Sequence, residues 1–343
     1  MKTLTITRPD DWHIHVRNGA ILKTVLPHTA RQFARAIIMP NLKPPVTTVA
    51  GALVYRKEIL QAVPAGIDFT PLMTLYLTAA TKISEIQKAA ESDHVYAFKL
   101  YPAGATTNSD SGVADIHAIY PLLAELEKLD IPLLIHGETT DTDCDIFDRE
   151  RVFVDTSLTD IATNFPNLRI VLEHVTTSEA VQFVYASGNN IAATITPQHL
   201  LYNRNALFAG GIRPHYYCLP IIKREHHRLA LVKAATSGNP KFFLGTDSAP
   251  HITSLKETSC GCAGCYSAYA ALELYAEIFE RADALNKLEG FASFFGADFY
   301  RLPRNSDTVT LEKTTWSIPL FYGENDTTVT PLKAGEELSW KMQ

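Results

Sequence analysis

Eight short apolar runs, each ending in a polar cluster, recur along the chain and constrain its fold more than any other feature. They are rich in β-branched residues, which is typical of strands buried on both faces of a parallel sheet. In chain order they are W-H-I-H-V near residue 12, A-I-I-M-P-N to Asn41, F-T-P-L-M-T-L-Y-L from Phe69, A-F-K-L-Y-P around Lys99, I-P-L-L-I-H-G to Gly137, R-I-V-L-E-H-V to Val175, I-A-A-T-I-T-P from Ile191 and K-F-F-L-G-T-D to Asp247.

Segments with the apolar spacing of helices lie between these runs, for example residues 48–63, 113–129, 178–186 and 224–235. A unit of strand and helix repeats about every 33 residues between His15 and Asp247, close to the period of a (β/α)8 barrel. Such alternation favours parallel strands joined by right-handed crossovers. A doubly wound open sheet is the alternative, but it would usually carry a Gly-rich turn after an early strand, and the sequence has none.

The length of 343 residues allows either two ordinary domains or one barrel of roughly 250 residues with additions. No linker, low-complexity stretch or block of charge divides the chain. We therefore predict a single α/β domain over residues 1–343. It would consist of a TIM barrel over about residues 4–300 and an irregular C-terminal extension over about residues 304–343.

Composition excludes several classes of partner. The chain has 31 Lys and Arg against 37 Asp and Glu, a net charge of −6, whereas nucleic-acid-binding proteins usually have a strong basic excess. No apolar run approaches the roughly 18 residues of a membrane helix, and the N-terminus becomes polar too early for a signal peptide. Five cysteines, an odd number, do not suggest a disulfide framework. We expect a cytoplasmic protein.

Residues that commonly bind metals stand at the ends of several predicted strands. His13 and His15 are two apart in a strand and so point to the same face, although an H-x-H pair alone is a weak signal. His136, His174 and Asp247 end the fifth, sixth and eighth runs. The carboxyl ends of all barrel strands meet at one face, where active sites lie. Because an unpartnered buried His or Asp is costly, we predict a metal centre there.

Lys99 ends the fourth run and should point into the same mouth of the barrel. A protonated lysine has three donors and no acceptor, so it cannot ligate a metal, and it would more simply bind an anionic substrate. A carbamylated lysine would instead be an anionic carboxylate able to bridge two cations. The residues alone leave both possibilities open.

Eight motifs in order, from about residue 4 to beyond residue 300, resemble the dihydroorotase family, specifically its shorter bacterial type within the amidohydrolase superfamily. They are D-D-W-H-I-H-V-R-N-G, I-M-P-N-L-K-P-P-V-T-T, F-K-L-Y-P-A-G-A-T-T-N-S, L-I-H-G-E, L-E-H-V-T-T, I-T-P-Q-H-L, R-P-H-Y-Y-C-L-P and F-L-G-T-D-S-A-P-H.

The resemblance implies a binuclear zinc site. One ion would be held by His13, His15 and Asp247 and the other by His136 and His174, with a carbamylated Lys99 and a hydroxide bridging the two. Imidazole and carboxylate are ligands that suit zinc. The implied cofactor is thus two zinc ions per subunit.

The resemblance also implies the reaction. It is the reversible interconversion of N-carbamoyl-L-aspartate and L-dihydroorotate in pyrimidine biosynthesis, with Asp247 as the general base that later returns the proton to the leaving nitrogen. Other side chains and backbone groups would bind the substrate. They are a carboxylate clamp of Arg17, Asn41 and His251, two lid threonines (Thr106 and Thr107) in the loop of residues 101–112, and backbone groups of Leu219 and Ala263. The family further suggests a homodimer.

Alternative functions remain at this stage. A hydantoinase-like cyclic amidase would keep Lys99 without needing the Arg17 and Asn41 clamp, whereas a mononuclear deaminase of the same superfamily would not need Lys99. A catalytically silent barrel could act as a scaffold, but it would have no reason to keep all six ligand candidates. The tract Cys260, Cys262 and Cys265, with Cys218, could form a further metal site, although reduced thiols are the simpler interpretation.

Overall fold

A parallel sheet of eight strands, rolled into a barrel, organises the molecule. The structure is a computed structural model and describes residues 2–259 and 261–343. The strands are β1 (Thr3–Thr7), β2 (Asp10–Ile14), β3 (Arg35–Ile38), β4 (Thr70–Leu77), β5 (Val95–Leu100), β6 (Leu133–Ile135), β7 (Ile170–Leu172), β8 (Ile191–Ile195), β9 (Phe242–Leu244), β10 (Thr308–Glu312), β11 (Trp316–Ser317), β12 (Glu337–Leu338) and β13 (Lys341–Met342).

Strands β2 to β9 lie side by side in chain order, and every neighbouring pair is parallel. The first and last strands meet just beyond the end of β9. There the backbone N of Asp247 donates to the His13 carbonyl at 2.8 Å, and the backbone N of His15 donates to the Ser248 carbonyl at 3.0 Å. The predicted (β/α)8 barrel is confirmed.

Helices follow the barrel strands. They are α1 (Gly19–Gln32), α2 (Val49–Ala62), α3 (Ile83–Ala90), α4 (Tyr120–Lys128), α5 (Arg149–Phe153), α6 (Thr159–Asn164), α7 (Ser178–Ala186), α8 (Pro197–Leu201), α9 (Glu225–Ala235), α10 (Thr253–Lys256), α11 (Ala271–Arg281) and α12 (Phe295–Phe299). A π-helical turn, Val154–Leu158, joins α5 to α6. Among the described residues, no helix combines the length and apolarity needed to cross a membrane.

The helix predictions are confirmed, except that one helix begins later than predicted. Helix α2 lies within the predicted range 48–63, and the Thr48 side chain accepts from the backbone N of Gly51 as its N-cap. The predicted range 113–129 begins too early, because Val113 pairs instead with Pro102 in a short β-bridge. A 3-10 turn capped by Asp115 follows, and only then does α4 begin.

The alternation of inward-facing and outward-facing side chains along the strands determines where the site lies. The barrel interior contains a second apolar cluster, separate from the core between strands and helices, with Ala97, Leu134, Val171, Ala192 and Phe243 among its members. Side chains two residues apart in a strand share a face. The next inward positions on these strands, toward the mouth, are therefore Lys99, His136, Glu173, Thr194 and Gly245.

Strand β2 departs from this alternation through a bulge. Asp11 pairs with Ala36 and Ile14 pairs with Ile38, so β2 has one more residue than β3 over this stretch. The bulge allows two consecutive side chains to face the interior. Trp12 joins the interior cluster, while the ring of His13 lies 5.0 Å from the ring of His174.

The end of the barrel opposite the mouth is filled by aromatic rings. Trp12 stacks on Tyr300 with ring centroids 4.6 Å apart and lies edge-on to Phe243 at 6.3 Å. Helix α12 packs directly over Trp12, because a Cβ at Gly296 would come within 2.0 Å of the indole Nε1. Glycine at this position makes the close approach of the helix possible.

The C-terminal extension is more ordered than predicted. Strand β10 pairs antiparallel with the N-terminal strand β1 and with β13, and β11 pairs with β12. The prediction of an irregular tail is therefore wrong for these four strands. Both ends of the chain meet in one small sheet beside the barrel.

Candidate active site

Three predicted metal ligands form one tight group at the barrel mouth. The ligand atoms of His13, His15 and Asp247 all lie within 4.8 Å of one another, and all three residues are buried. Asp247 Oδ1 is 3.1 Å from His15 Nε2 and 3.4 Å from His13 Nε2. Among the described residues this is the one His, Cys, Asp and Glu group with the spacing of a metal site.

Neighbouring side chains set the orientation of both imidazoles. His15 Nδ1 lies 2.8 Å from Asn41 Oδ1, and His13 Nδ1 lies 2.8 Å from Glu173 Oε2. In both rings the nitrogen that faces a neighbouring oxygen is Nδ1, so Nε2 is the nitrogen turned toward Asp247. Contacts of this kind fix the ring orientation of a metal-binding histidine.

His136, His174 and Lys99 surround this group. The His136 and His174 ring centroids are 4.7 Å apart, and His136 Nε2 lies 2.8 Å from Glu138 Oε2. Lys99 Nζ is 5.0 Å from the centre of the Tyr101 ring. In the described part of the chain, neither Lys99 Nζ nor His174 Nδ1 has a hydrogen-bond partner, although both are buried. Such orphaned polar atoms fit a site that binds cations.

Several residues of the site hold a left-handed backbone. The φ angles of His174 and Asp247 are 41° and 42°, and that of Arg17 is 58°. Non-glycine residues rarely adopt this conformation, and they do so most often at functional sites. It explains how His174 reaches the mouth, since the preceding residue, Glu173, already occupies the inward position of β7.

Burial and local charges set the protonation states. Burial raises the pKa of Asp247, but hydrogen bonds from His13 and His15 outweigh it and hold that pKa well below its usual range. Burial lowers the pKa of His15 to about 4 and that of His174 well below its ordinary value. These side chains are a carboxylate and neutral imidazoles at pH 7, the forms that bind metals.

The predicted substrate-binding residues line one cavity beside the ligands. Its walls include His15, Arg17, Asn41, Thr106, Thr107, His136, His174, Leu219, Asp247 and Ala263. His251 reaches the same wall, because its Nε2 lies 3.0 Å from Arg17 Nη2 and 3.0 Å from the Ala263 carbonyl. Burial and the neighbouring Arg17 lower the pKa of His251 to about 2. The positive charge on this wall therefore comes from Arg17.

The loop of residues 101–112 closes over the cavity. Asn108 Nδ2 donates to the Asn41 carbonyl at 2.9 Å, and Asn41 Nδ2 donates to the Thr107 carbonyl at 3.1 Å. Thr107 Oγ1 reaches the Ala263 carbonyl at 3.4 Å. The cavity beneath the loop is about 20 Å³, room for a single water. Anything larger requires its walls, this loop among them, to move.

The cysteine tract does not form a second metal group among the described residues. Cys218, Cys262 and Cys265 are free thiols, and Cys260 lies outside the described residues. A buried lysine ties this region together instead: Lys256 Nζ donates to the carbonyls of Tyr217, Cys262 and Gly264 at 3.1, 2.8 and 2.6 Å.

Comparison with known proteins identifies the family. The amidohydrolase family matches residues 6–332. A dihydroorotase from Acaryochloris marina is 65% identical over 342 residues, which cover 100% of this chain and 99% of that protein. The chain belongs to the dihydroorotase family.

Solved dihydroorotase structures have the same fold. The enzyme from Campylobacter jejuni superimposes with a TM-score of 0.92 at 36% identity, covering 100% of this chain and 98% of that one. The dihydroorotase from Saccharomyces cerevisiae, solved in complex with 5-fluoroorotic acid, also gives 0.92, at 34% identity and with 100% and 99% covered. The chain is thus a cyclic-amide hydrolase with a metal-binding group at the barrel mouth.

Sequence reasoning missed the residues that contact the predicted metal ligands. Glu138 and Glu173 contact His136 and His13, and Thr194 contacts the backbone of His174. A signal was present in the motifs H-G-E and L-E-H, where an acid stands within two residues of a ligand. The inward alternation of β7 would have pointed to Glu173.

Proposed function

We propose that this chain catalyses the reversible interconversion of N-carbamoyl-L-aspartate and L-dihydroorotate, a step of pyrimidine biosynthesis, with two zinc ions at the barrel mouth. The observation that carries the proposal is the buried His13, His15 and Asp247 group in a chain that is 65% identical to a dihydroorotase.

We assign His13, His15 and Asp247 to one ion, His136 and His174 to the other, and a carbamylated Lys99 to a position between them. The buried amine of Lys99 supports this assignment, because it has no hydrogen-bond partner in the described chain and burial lowers its pKa to about 8. A lowered pKa increases the neutral fraction of the amine, the form that adds carbon dioxide. Bound zinc would lower the pKa of a water molecule and polarise the amide carbonyl.

Asp247 is the proton carrier of the proposed reaction. Its carboxylate is ionised and so can accept a proton in the hydrolytic direction and return it to the ring nitrogen as the amide bond breaks. The two imidazoles that contact Asp247 Oδ1 hold the carboxylate in place. Ring closure uses the same atom in reverse.

Arg17, Asn41 and His251 would bind the free carboxylate of the substrate. A guanidinium can form two parallel hydrogen bonds to a carboxylate, and Arg17 is held by its Nε donating to the Pro250 carbonyl at 2.9 Å. Asn41 also contacts His15 and the loop. We therefore propose that Asn41 couples substrate binding, ligand orientation and loop closure.

The remaining contacts would define the substrate. Backbone groups of Leu219 and Ala263 would bind the polar edge of the pyrimidine, and Thr106 and Thr107 would close over it and exclude water. Each of these residues lines the cavity. We also propose that the protein is cytoplasmic and forms a homodimer, the latter to be tested by light scattering.

The decisive experiment measures zinc content and dihydroorotate hydrolysis on one purified sample. We expect about two zinc ions per chain and hydrolysis that is lost on chelation and regained with zinc. Activity of the metal-free protein, or a zinc-loaded protein inert toward dihydroorotate, would contradict the proposal. Lys99→Ala should abolish activity; an active Lys99→Ala protein would favour a mononuclear site.

A further inference from the structure

Strand β8 supplies no proposed metal ligand, yet one of its side chains connects two of them. Thr194 is fully buried. Its Oγ1 accepts a hydrogen bond from the backbone N of His174 at 2.7 Å and donates to Glu173 Oε2. The same carboxylate oxygen lies 2.8 Å from His13 Nδ1. Two hydrogen bonds and one close ion-pair contact therefore form a bridge from the backbone of His174, through Thr194 and Glu173, to the ring of His13.

The donors and acceptors along this bridge have a fixed direction. A backbone N–H can only donate, so the single hydroxyl proton of Thr194 is left for Glu173. Glu173 then acts as an acceptor, with its carboxylate turned toward the His13 ring. On the other side of that ring, His13 Nε2 lies 3.4 Å from Asp247 Oδ1. The bridge thus fixes the orientation in which His13 presents Nε2 to the rest of the group.

Gly245 makes room for the bridge. A Cβ at Gly245 would lie 2.7 Å from Thr194 Cβ, 2.8 Å from Thr194 Cγ2 and 3.1 Å from His13 Cβ. The first two distances are too short for any real contact, so a side chain here would displace Thr194. The inward position of β9 is therefore free of a side chain at the point where Thr194 and His13 approach each other.

The bridge also bears on the strained backbone of the second histidine. His174 has a φ of 41°, and such a conformation persists only when surrounding contacts enforce it. Its backbone N–H is held by the Thr194 side-chain hydroxyl rather than by a backbone carbonyl of the neighbouring strand. Loss of that hydroxyl would release His174, which the proposed function assigns to the second ion.

We propose that Thr194 and Glu173 are positioning residues for the metal centre: together they hold the ring of His13 and the backbone of His174 in the arrangement that binds cations. The inference rests on the proposed zinc site. Neither residue would touch the substrate, so both would act through the two histidines.

The test compares Thr194→Val, which keeps the shape and removes the hydroxyl, with Thr194→Ser, which keeps the hydroxyl. Thr74→Val is the matched control, because Thr74 is a buried barrel-strand threonine whose hydroxyl donates to the Ile38 carbonyl at 2.6 Å. Zinc affinity is measured by competition with a chromogenic chelator. We expect Thr194→Val to bind zinc about 10- to 100-fold more weakly than the control, and Thr194→Ser to stay near the wild type.

A second measurement does not depend on bound metal or activity. Hydrogen exchange of the His174 backbone amide in the metal-free protein reports whether the Thr194 hydroxyl holds that amide. We expect slow exchange in the wild type and in Thr194→Ser, and faster exchange in Thr194→Val, which lacks the acceptor. Glu173→Gln, which keeps the shape and removes the charge, should bind zinc more weakly than the control. Gly245→Ala, which leaves Thr194 and Glu173 chemically intact, should weaken zinc binding as Thr194→Val does.

The outcomes separate this inference from the proposed function. Should wild-type protein bind zinc and hydrolyse dihydroorotate while Thr194→Val matches Thr74→Val in zinc affinity, the bridge has no positioning role. Unchanged zinc affinity in Glu173→Gln, or unchanged exchange of the His174 amide in Thr194→Val, would likewise overturn it. A wild-type protein without zinc or activity would instead refute the proposed function itself.

Discussion

Lys99 should destabilise the fold when no metal is bound. Its side chain is fully buried, and in the described chain its ammonium has no hydrogen-bond partner. Burial lowers its pKa from an ordinary value of 10.5 to about 8, even though Glu173 and Asp247 attract the charge. An unpaired buried ammonium destabilises a folded protein.

Lys99→Met should therefore stabilise the metal-free protein while abolishing activity. We expect its free energy of unfolding at pH 7 to exceed that of the wild type by up to roughly 3 kcal/mol, the equivalent of the pKa shift. Urea unfolding in chelator and bicarbonate-free buffer measures the difference. A variant that is less stable than the wild type at every pH would contradict the expectation.

The pH dependence of that difference has a definite sign. Below pH 8 the amine is protonated in both the folded and unfolded chain, so the penalty is fully present. Between about pH 8 and 10.5 the folded protein releases its proton first, and the penalty fades. The stability advantage of Lys99→Met should thus shrink as pH rises through this window.

At this scale the sequence predicted which residues gather at the mouth, since ligand-type side chains at strand ends require only period-two alternation. The sequence could not predict how His174 reaches the site. The inward position of β7 belongs to Glu173, and His174 reaches the site through a left-handed φ of 41° that no local pattern encodes. Trp12 and His13 share the interior through a bulge that depends on pairing with β3.

The loop of residues 101–112 is the element on which turnover should depend. Its closed position is held by the hydrogen bond from Asn108 Nδ2 to the Asn41 carbonyl. Asn108 has a φ of 58°, a conformation that glycine adopts without strain. Asn108→Gly thus removes the contact without forcing the backbone out of place.

We expect Asn108→Gly to raise KM for dihydroorotate about fivefold, since one hydrogen bond contributes about 1 kcal/mol, and to change kcat less. Hydrogen exchange of the loop amides should become faster. Asp110→Ala, at an exposed position in the same loop, is the control and should leave both properties unchanged. An unaltered KM with faster loop exchange would show that closure does not contribute to substrate binding.

The elements themselves differed in how well the sequence predicted them. Helix α2 was predicted because its apolar spacing is a local signal, and the structure adds Thr48 as its N-cap. The early start assigned to α4 failed because Val113 forms a bridge with Pro102, a tertiary contact that overrides helical spacing. Loop closure over the mouth depends on Asn41, which is distant in sequence.

For the whole molecule, α11 joins the barrel to the C-terminal extension through acidic side chains. Glu277 Oε1 accepts from the backbone N of Ser339 at 2.8 Å, and Glu273 Oε1 accepts from the backbone N of Met342 at 3.2 Å. Glu280 Oε2 accepts from Trp340 Nε1 at 3.0 Å. Trp340 is fully buried, so the tail is part of the folded unit.

Trp340→Ala should lower the free energy of unfolding by about 3–5 kcal/mol, the usual cost of removing a large buried aromatic side chain. Urea unfolding measures the loss. Phe321→Ala, at a side chain that is 58% exposed in the same extension, should change stability by less than about 0.5 kcal/mol. Because the extension contacts no proposed ligand in the described structure, kcat of the folded variant should stay near the wild type.

Sequence patterns could not reveal this arrangement. Strand β10 alternates polar and apolar residues over only five positions, and its partner β1 lies about three hundred residues away along the chain. The glutamates of α11 look like an ordinary solvated helix face until the tail covers them. The barrel was predictable because its period repeats, whereas the extension occurs once.

The aromatic floor under the site limits how anything reaches the metal-binding group. Trp12, Phe243 and Tyr300 fill one end of the barrel, and the loop of residues 101–112 covers the other. Within the described structure the centre is thus closed at its floor and narrowed at its mouth by this loop. Chelators must wait for the same opening as the substrate, so the rate of inactivation should reach a plateau at high chelator concentration. That plateau would give the opening rate of the loop directly.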